Sequence, residues 1–322
     1  MLKRPGLTGQ PQQGRGRVLE EVLTMHPRFI HEVPAAFPGV DLEMWQTGPA
    51  EGPAWSVTQA RCNEVALMSG QMAGPYAANL KAQTATIFVL QQGGPWLING
   101  CRVDSGEGSF FAAGADGNVA SAGPCSWYAI QFSEEQLQRY AMAMNRKPLI
   151  SRHAVKALGK VSMSRRVVPP TKHSTFLTNG EAQERSPAAP AALFVQRQAW
   201  SLLAKAIGEE GYPLRSGHER IARRAMNYLQ EHEGSVVGSI ELCLALGISD
   251  RWLREAFLHV YGVTATKLLR LRRLHQARVT LLSADTTVTA VASSLDFHDF
   301  GRFAQTYTHL FGEPPSATLR RR

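Results

Sequence analysis

What this chain lacks narrows its chemistry before any motif is considered. No histidine lies between His31 and His153, the stretch that carries the strand-like patterning described below. A metal-centred oxygenase or isomerase on a small β-barrel needs clustered imidazoles with a carboxylate, so this gap argues strongly against that class. The 4 cysteines, Cys62, Cys101, Cys125 and Cys243, form no C-x-x-C pair, which disfavours a tight zinc site or a methyl-accepting repair centre. Buried reduced thiols are the plain reading, a reactive one the alternative. A Gly-x-Ser-x-Gly elbow is missing, and with it the α/β-hydrolase signature. No apolar run approaches the roughly eighteen residues of a membrane-spanning helix. Met1 to Arg17 is rich in Gly, Gln, Pro and Arg and has no apolar core, so no secretory signal is read. Residues 1–30 are expected to be a disordered leader, and the protein to be cytoplasmic and not an enzyme, with no cofactor and no metal.

What is present suits two domains. The 322 residues exceed one comfortable core, and a net charge of +9 favours a polyanionic partner. Residues 31–150 read as β-rich. Between about Trp55 and Phe132, short apolar runs such as Thr84–Leu90 and Trp127–Phe132 alternate with glycine-rich breaks. Asn99-Gly100 between Trp96–Ile98 and Cys101–Val103 is a strong hairpin signal. The spacing predicts a small β-barrel or sandwich. Ser133-Glu134-Glu135-Gln136 fits a capping box opening a helix. Residues 151–216 read as linker plus an amphipathic helix from about Ala191 to Gly208. That helix packs either on the β-region or on a second copy. Ser151–Lys172 carries Arg152, Lys156, Lys160, Arg165, Arg166 and Lys172 with no acid, which is either a solvated linker or a supplementary phosphate contact.

Residues 217–322 read as almost wholly helical, giving an α+β chain in which a β-rich domain is followed by an all-α domain. Here one pattern is written twice, about fifty residues apart. Leu242–Phe257 ends at Tyr261-Gly262, and Val291–Tyr307 ends at Phe311-Gly312. Each copy has a short apolar helix, a turn, and a polar residue opening a second helix. That is the layout of a helix-turn-helix, whose second helix enters the DNA major groove. Ala265–Leu282 between the copies reads as one long helix, with Leu268, Leu271, Leu274, Ala277 and Leu281 inward and Lys267, Arg270, Arg272, Arg273 and Arg278 outward. It would hold two reading helices at a fixed separation, as two major-groove segments about 34 Å apart require.

The second helix of the first copy spans about Asp250 to Val260, with Leu253, Ala256, Phe257 and Val260 toward the core. Ser249, Asp250, Arg251, Arg254, Glu255 and His259 are left as candidate DNA contacts, Ser249 chiefly as cap. Arginine forks onto guanine O6 and N7, or contacts phosphate, or lies solvated. Glu255 either accepts from cytosine N4 or orients Arg251 or Arg254 at helical spacing. In the second copy His298, Gly301, Arg302, Gln305, Thr306 and His309 face outward. Gln305 suits adenine, and Gly301 serves either close backbone approach or local packing.

These residues resemble the DNA-binding domain of the AraC/XylS transcription regulators. The likeness is carried by Leu242, Gly247-Ile248-Ser249, Leu253, Phe257 and Gly262, then Arg273-Leu274, Ala277-Arg278 and Leu281-Leu282, and the closing Phe311-Gly312-Glu313-Pro314-Pro315-Ser316. It covers roughly the last hundred residues. Asp296–Ala304 and Leu242-Cys243 are most similar to ethanolamine-utilisation regulators. Three positions depart from the family pattern. Asp296 stands where the family usually has glycine, a turn an Asx-type bond would hold. Glu255 stands where arginine is common, and Gln305 occupies the matching place in the second copy. The resemblance implies that the β-region senses a small-molecule effector and governs DNA binding or dimerisation. A homodimer and RNA polymerase are the partners expected beside double-stranded DNA and the effector. Trp96, Phe110, Phe111, Trp127 and Tyr128 either line an effector pocket or are plain core. A small amine or a cobalamin follows from the ethanolamine-type likeness. The expected function is thus a sequence-specific, effector-responsive regulator. The alternative is an architectural DNA-binding protein whose β-domain only associates.

Overall fold

Alternating burial along the N-terminal strands builds two antiparallel sheets around one apolar core. The computed structural model describes residues 20–27, 29–52, 55–62, 65–143, 155–161, 188–207, 212–213 and 216–321. The larger sheet has eight strands, in the order β1 (Glu20–Met25), β3 (Ser56–Cys62), β4 (Val65–Met72), β11 (Cys125–Phe132), β6 (Ala85–Gly93), β9 (Glu107–Phe111), β12 (Val155–Lys160) and β13 (Tyr212–Pro213). The smaller has five, in the order β2 (Val40–Gln46), β5 (Tyr76–Ala82), β10 (Asp116–Ser121), β7 (Trp96–Ile98) and β8 (Cys101–Val103). Phe88, Phe111 and Trp127 of the first sheet meet Met44, Tyr76, Leu80, Trp96 and Ile98 of the second in one cluster. Each such side chain contributes roughly 1.5–3 kcal/mol when fully buried. Gly70 lets the Trp127 indole lie flat on β4, because a Cβ there would sit 2.6 Å from both the ring and the Ser56 carbonyl. The Asn99-Gly100 turn forms as its sequence demands, both residues having positive φ (51° and 79°).

Strands β1, β12 and β13 fall outside the stretch expected to be β-rich. β1 lies inside the expected leader and pairs with β3, so residues 20–25 belong to the larger sheet. β2 lies within the expected β-rich region, ahead of the apolar runs singled out there. β12, inside the expected linker, pairs with β9. Polar or basic residues interrupt the apolar alternation in β1 and β12, and pairing with a neighbour supplies what their own pattern does not, whereas Val40-Asp41-Leu42-Glu43-Met44 of β2 alternates cleanly. Lys156 and Lys160 of the basic run donate to the carbonyls of Ala206 and Ser105. Residues 1–19, Arg152, Arg165, Arg166 and Lys172 lie outside the described residues.

Helix α1 (Glu134–Ala143) opens on the expected capping box. The Ser133 N–H donates to Gln136 Oε1 at 2.7 Å, and the Gln136 N–H donates to Ser133 Oγ at 3.2 Å. Helix α2 (Ala188–Ile207) places Ala199, Leu202, Leu203 and Ala206 in the β-core, so its stripe packs on the sheets of its own chain.

The helical half comprises α3 (Gly217–Glu231), α4 (Ser239–Leu246), α5 (Asp250–Tyr261), α6 (Ala265–Ser283), α7 (Val288–Ser294), α8 (Phe300–Phe311) and α9 (Pro315–Leu319). It has two cores. Leu253, Phe257, Val260 and Leu268 form one, and Leu274, Leu281, Phe303 and Tyr307 the other, with α6 contributing to both. Arg278, fully buried on α6, donates to Glu313 Oε1 at 2.7 Å. The Phe29 ring covers the Arg278 guanidinium at 3.6 Å.

Strand alternation sends one face of the smaller sheet inward and the other onto the helices. Trp45 and Ala77 join the first helical core. Asn118 Nδ2 donates to the Tyr261 hydroxyl at 2.7 Å, and that hydroxyl donates to Asn79 Oδ1 at 2.6 Å. Arg272 pairs with Glu43 at 3.3 Å, opposing the burial that raises the Glu43 carboxyl above its ordinary range. Gln46 reaches both the His275 ring and the Leu310 carbonyl.

Candidate nucleic-acid interface

In the first copy the turn and cap form from local chemistry. Gly247 ends α4 with φ of +64°, the left-handed cap glycine adopts without a Cβ penalty. Ser249 Oγ then accepts from the Trp252 N–H at 3.3 Å and starts α5. Leu253, Ala256, Phe257 and Val260 are buried, as their spacing predicted. Asp250, Arg251 and Arg254 stand exposed on the first turns of α5. Arg251, 85% exposed, donates from Nε to Glu255 Oε1 at 2.9 Å, so Glu255 has the orienting geometry. The same bond raises the guanidinium's affinity for its proton.

The second copy is built alike but held differently. Asp296 has φ of +60°, the left-handed turn its position implied. Its carboxylate faces Arg273 at 3.4 Å and His298 Nε2 at 2.8 Å, so these side-chain contacts stand where an Asx-type bond was expected. Asp299 Oδ1 caps α8 by accepting from the Arg302 N–H at 2.8 Å. Gly301, Arg302, Gln305 and His309 are exposed. A Cβ on Gly301 would meet only Asp299 Oδ1, at 3.4 Å, so packing does not require glycine there. Thr306 departs from the outward reading. Its hydroxyl donates to the Arg302 carbonyl at 2.7 Å and accepts from Arg270 at 2.9 Å, tying α8 to α6. A groove of about 250 Å³ beside these residues is lined by Arg270, Arg273, His298 and Arg302 together with Asp296 and Asp299.

His259 also departs from the groove reading. Its ring lies against Gly100 in the β7–β8 turn and 4.9 Å from the His218 ring. Burial, then the charge of His218, lowers its pKa. Sequence reasoning missed Trp252, which is 53% exposed on the first turn of α5. The signal was present, since the offset of fifty aligns Trp252 with Arg302.

Of the five aromatics singled out in the β-region, Trp96, Phe111 and Trp127 line an apolar cavity of about 40 Å³ between the sheets. Phe110 and Tyr128 do not, because neighbours along a strand point to opposite faces. Leu42, Met44 and Leu80 supply the wall from the smaller sheet, and no charged side chain lines the cavity among the described residues. The Trp127 indole N–H is buried there without an acceptor. No group of three or more His, Cys, Asp or Glu side chains with metal-binding geometry occurs among the described residues, and none of their helices is long and apolar enough to cross a membrane.

Residues 242–321 match the family model of a helix-turn-helix domain. The chain is 35% identical over 103 residues to a probable thc operon regulatory protein of Rhodococcus erythropolis, covering 31% of each chain. It is 33% identical over 102 residues to XylDLEGF operon transcriptional activator 1 of Pseudomonas putida, again 31% of each. The match therefore spans about a third of the length of these curated relatives. A solved structure of a probable AraC family transcriptional regulator from Rhodopseudomonas palustris is 33% identical, with 32% of this chain covering 96% of that one at a TM-score of 0.30. All of these sequence likenesses fall on a fraction of the chain the size of its double helix-turn-helix. By that domain, the chain belongs to the AraC/XylS family of transcription regulators.

Proposed function

We propose that this protein is a sequence-specific transcription regulator that reads an asymmetric DNA site and responds to a small-molecule effector. The observation that carries the reading is the division of labour along α5 and α8. Their first turns present Arg251 and Arg254, and Gly301 and Arg302, to solvent. Their last turns, at Tyr261 and Leu310, are bonded to the smaller sheet. The β-half thus holds the reader from behind and leaves the groove-facing ends free. Arg251, oriented by Glu255, and Arg254 contact bases in the first segment, and Arg302 and Gln305 in the second. Ser249, Asp250, His298 and His309 border these surfaces.

The uncharged lining and the buried indole N–H groups of Trp96 and Trp127 suit a small apolar molecule with a hydrogen-bond acceptor, for which the cavity of about 40 Å³ would have to widen. It offers neither a carboxylate for an amine nor room for a corrin. Ile240 and Leu244, one turn apart on α4 and 77% and 79% exposed, offer an apolar contact to a protein partner such as RNA polymerase or a second copy.

Selection of duplexes from a random-sequence library by the full-length protein tests the reading. A regulator enriches one motif and binds it at least about a thousandfold more tightly than scrambled sequence. Equal affinity for all duplexes would instead support the architectural alternative.

A further inference from the structure

The two reading units are fastened to the β-half by different chemistry. The first shares an apolar core with Trp45 and Ala77 of the smaller sheet. The second has a core of its own with no sheet residue in it. Helix α6 runs through both, its Leu268 and Leu269 in the first core and its Leu271 and Leu274 in the second. A single helix fixes a distance along its axis and still bends, because helices curve gently wherever packing on one side differs. A second strut is needed to fix the angle.

Beside the Phe29 ring that covers Arg278, the smaller sheet supplies such a strut through one residue. Gln46 ends β2, next to Trp45, and is 5% exposed. Its backbone N–H donates to His275 Nε2 on α6 at 2.9 Å. Its side-chain Nε2 donates to the Leu310 carbonyl, in the last turn of α8, at 2.8 Å. The last four carbonyls of a helix have no partner within it, so this bond fills a vacancy at the α8 terminus. His275 is itself 6% exposed and stacks edge-on against Phe311 at 5.0 Å. The sheet, α6 and α8 therefore meet at Gln46, and the triangle is closed through Trp45 on the first unit.

We infer that Gln46 is a positioning residue for DNA reading, which sets the angle between the two recognition helices and thereby the spacing of the base-pair segments they accept. It touches no DNA. The inference rests on the reading of α5 and α8 as recognition helices.

The test uses the full chain and the duplex it selects from a random library, with 0 or +1 base pair between the two segments, together with each segment alone. One added base pair rotates the second segment by roughly 34°, so the wild type should lose about tenfold or more in affinity. Gln46→Met keeps the backbone bond to His275 and the side-chain length but removes the bond to Leu310. Its penalty for the extra base pair should fall to about threefold or less, while binding to each single segment stays within about twofold of wild type. His275→Asn, which withdraws the acceptor from the Gln46 N–H, is the second variant should Gln46→Met not fold, and should relax spacing in the same way. A full wild-type spacing penalty in a folded variant overturns the inference. So does a loss on single segments as large as on the whole site. Failure of the wild type to select any duplex overturns the reading of α5 and α8 itself, a result distinct from normal single-segment binding with unchanged spacing.

Discussion

Arg254 and Arg251 sit one turn apart on α5 but are held differently, and this gives them different expected behaviour. Arg251 is tethered by Glu255, whereas Arg254 stands exposed. Arg254→Ala should cost about 1–3 kcal/mol on the selected duplex and relax preference at one base pair. Mobility shift on matched and single-substituted duplexes reads this directly, and an equal loss on every sequence would make the contact one to phosphate. Much of this was legible from residue types. The caps at Ser249 and Asp299, the positive φ at Asn99 and Asp296, and the Glu255 tether all follow from local chemistry within four residues. The contacts of Thr306 to Arg270 and of His259 to Gly100 were not visible, because those partners are remote in sequence. Gly70 belongs to the same class. Gly70→Ala should destabilise the β-half by about 1–3 kcal/mol, measured by chemical denaturation, because its Cβ would overlap Trp127 and the Ser56 carbonyl.

Among the elements, helices with a clear period and a cap were the easiest to place. Helices α5 and α6 match their expected spans to within a residue or so, since each has an apolar stripe bounded by a Ser or Thr cap. Strands β1 and β12 were not visible, because strands whose apolar alternation is interrupted take their stability from a partner. The α6–α9 lock is a further product of tertiary structure. Fully buried Arg278 pairs through one guanidinium nitrogen with Glu313, which also binds Arg321 and Thr318. Arg278→Ala should therefore lower the stability of the second reading unit by about 3–5 kcal/mol, by leaving Glu313 short of its buried partner. Calorimetry should show that unit unfolding earlier while the β-half melts where it did. A shift of the whole transition instead would mean that the two halves unfold as one.

Across the whole molecule, the joint between the halves was the part least available to sequence reasoning, since it is made of residues far apart in the chain. It also carries a titration. Burial lowers the His275 pKa from 6.5 to about 3, keeping the ring neutral so that Nε2 accepts from Gln46. A histidine held neutral in the fold binds its proton more readily once unfolded, so stability falls with pH below about 6.5 and keeps falling toward about 3. Between pH 7.5 and 5.5 this residue should remove about 1.4 kcal/mol of stability. His31, also lowered by burial, adds to the same slope, so the comparison that isolates His275 is wild type against His275→Asn in denaturant titrations at the two pH values. An identical slope in both would contradict the assignment.

The central claim is that two unequal recognition helices, α5 with Arg251 and Arg254 and α8 with Gly301, Arg302 and Gln305, read one asymmetric site. Sequencing the duplexes that the full-length protein selects from a random library tests it most directly. The predicted result is a bipartite motif whose two segments differ in sequence and lie about one helical turn, roughly 10 base pairs, apart. A palindrome of two equal halves, or no enrichment at all, would contradict it.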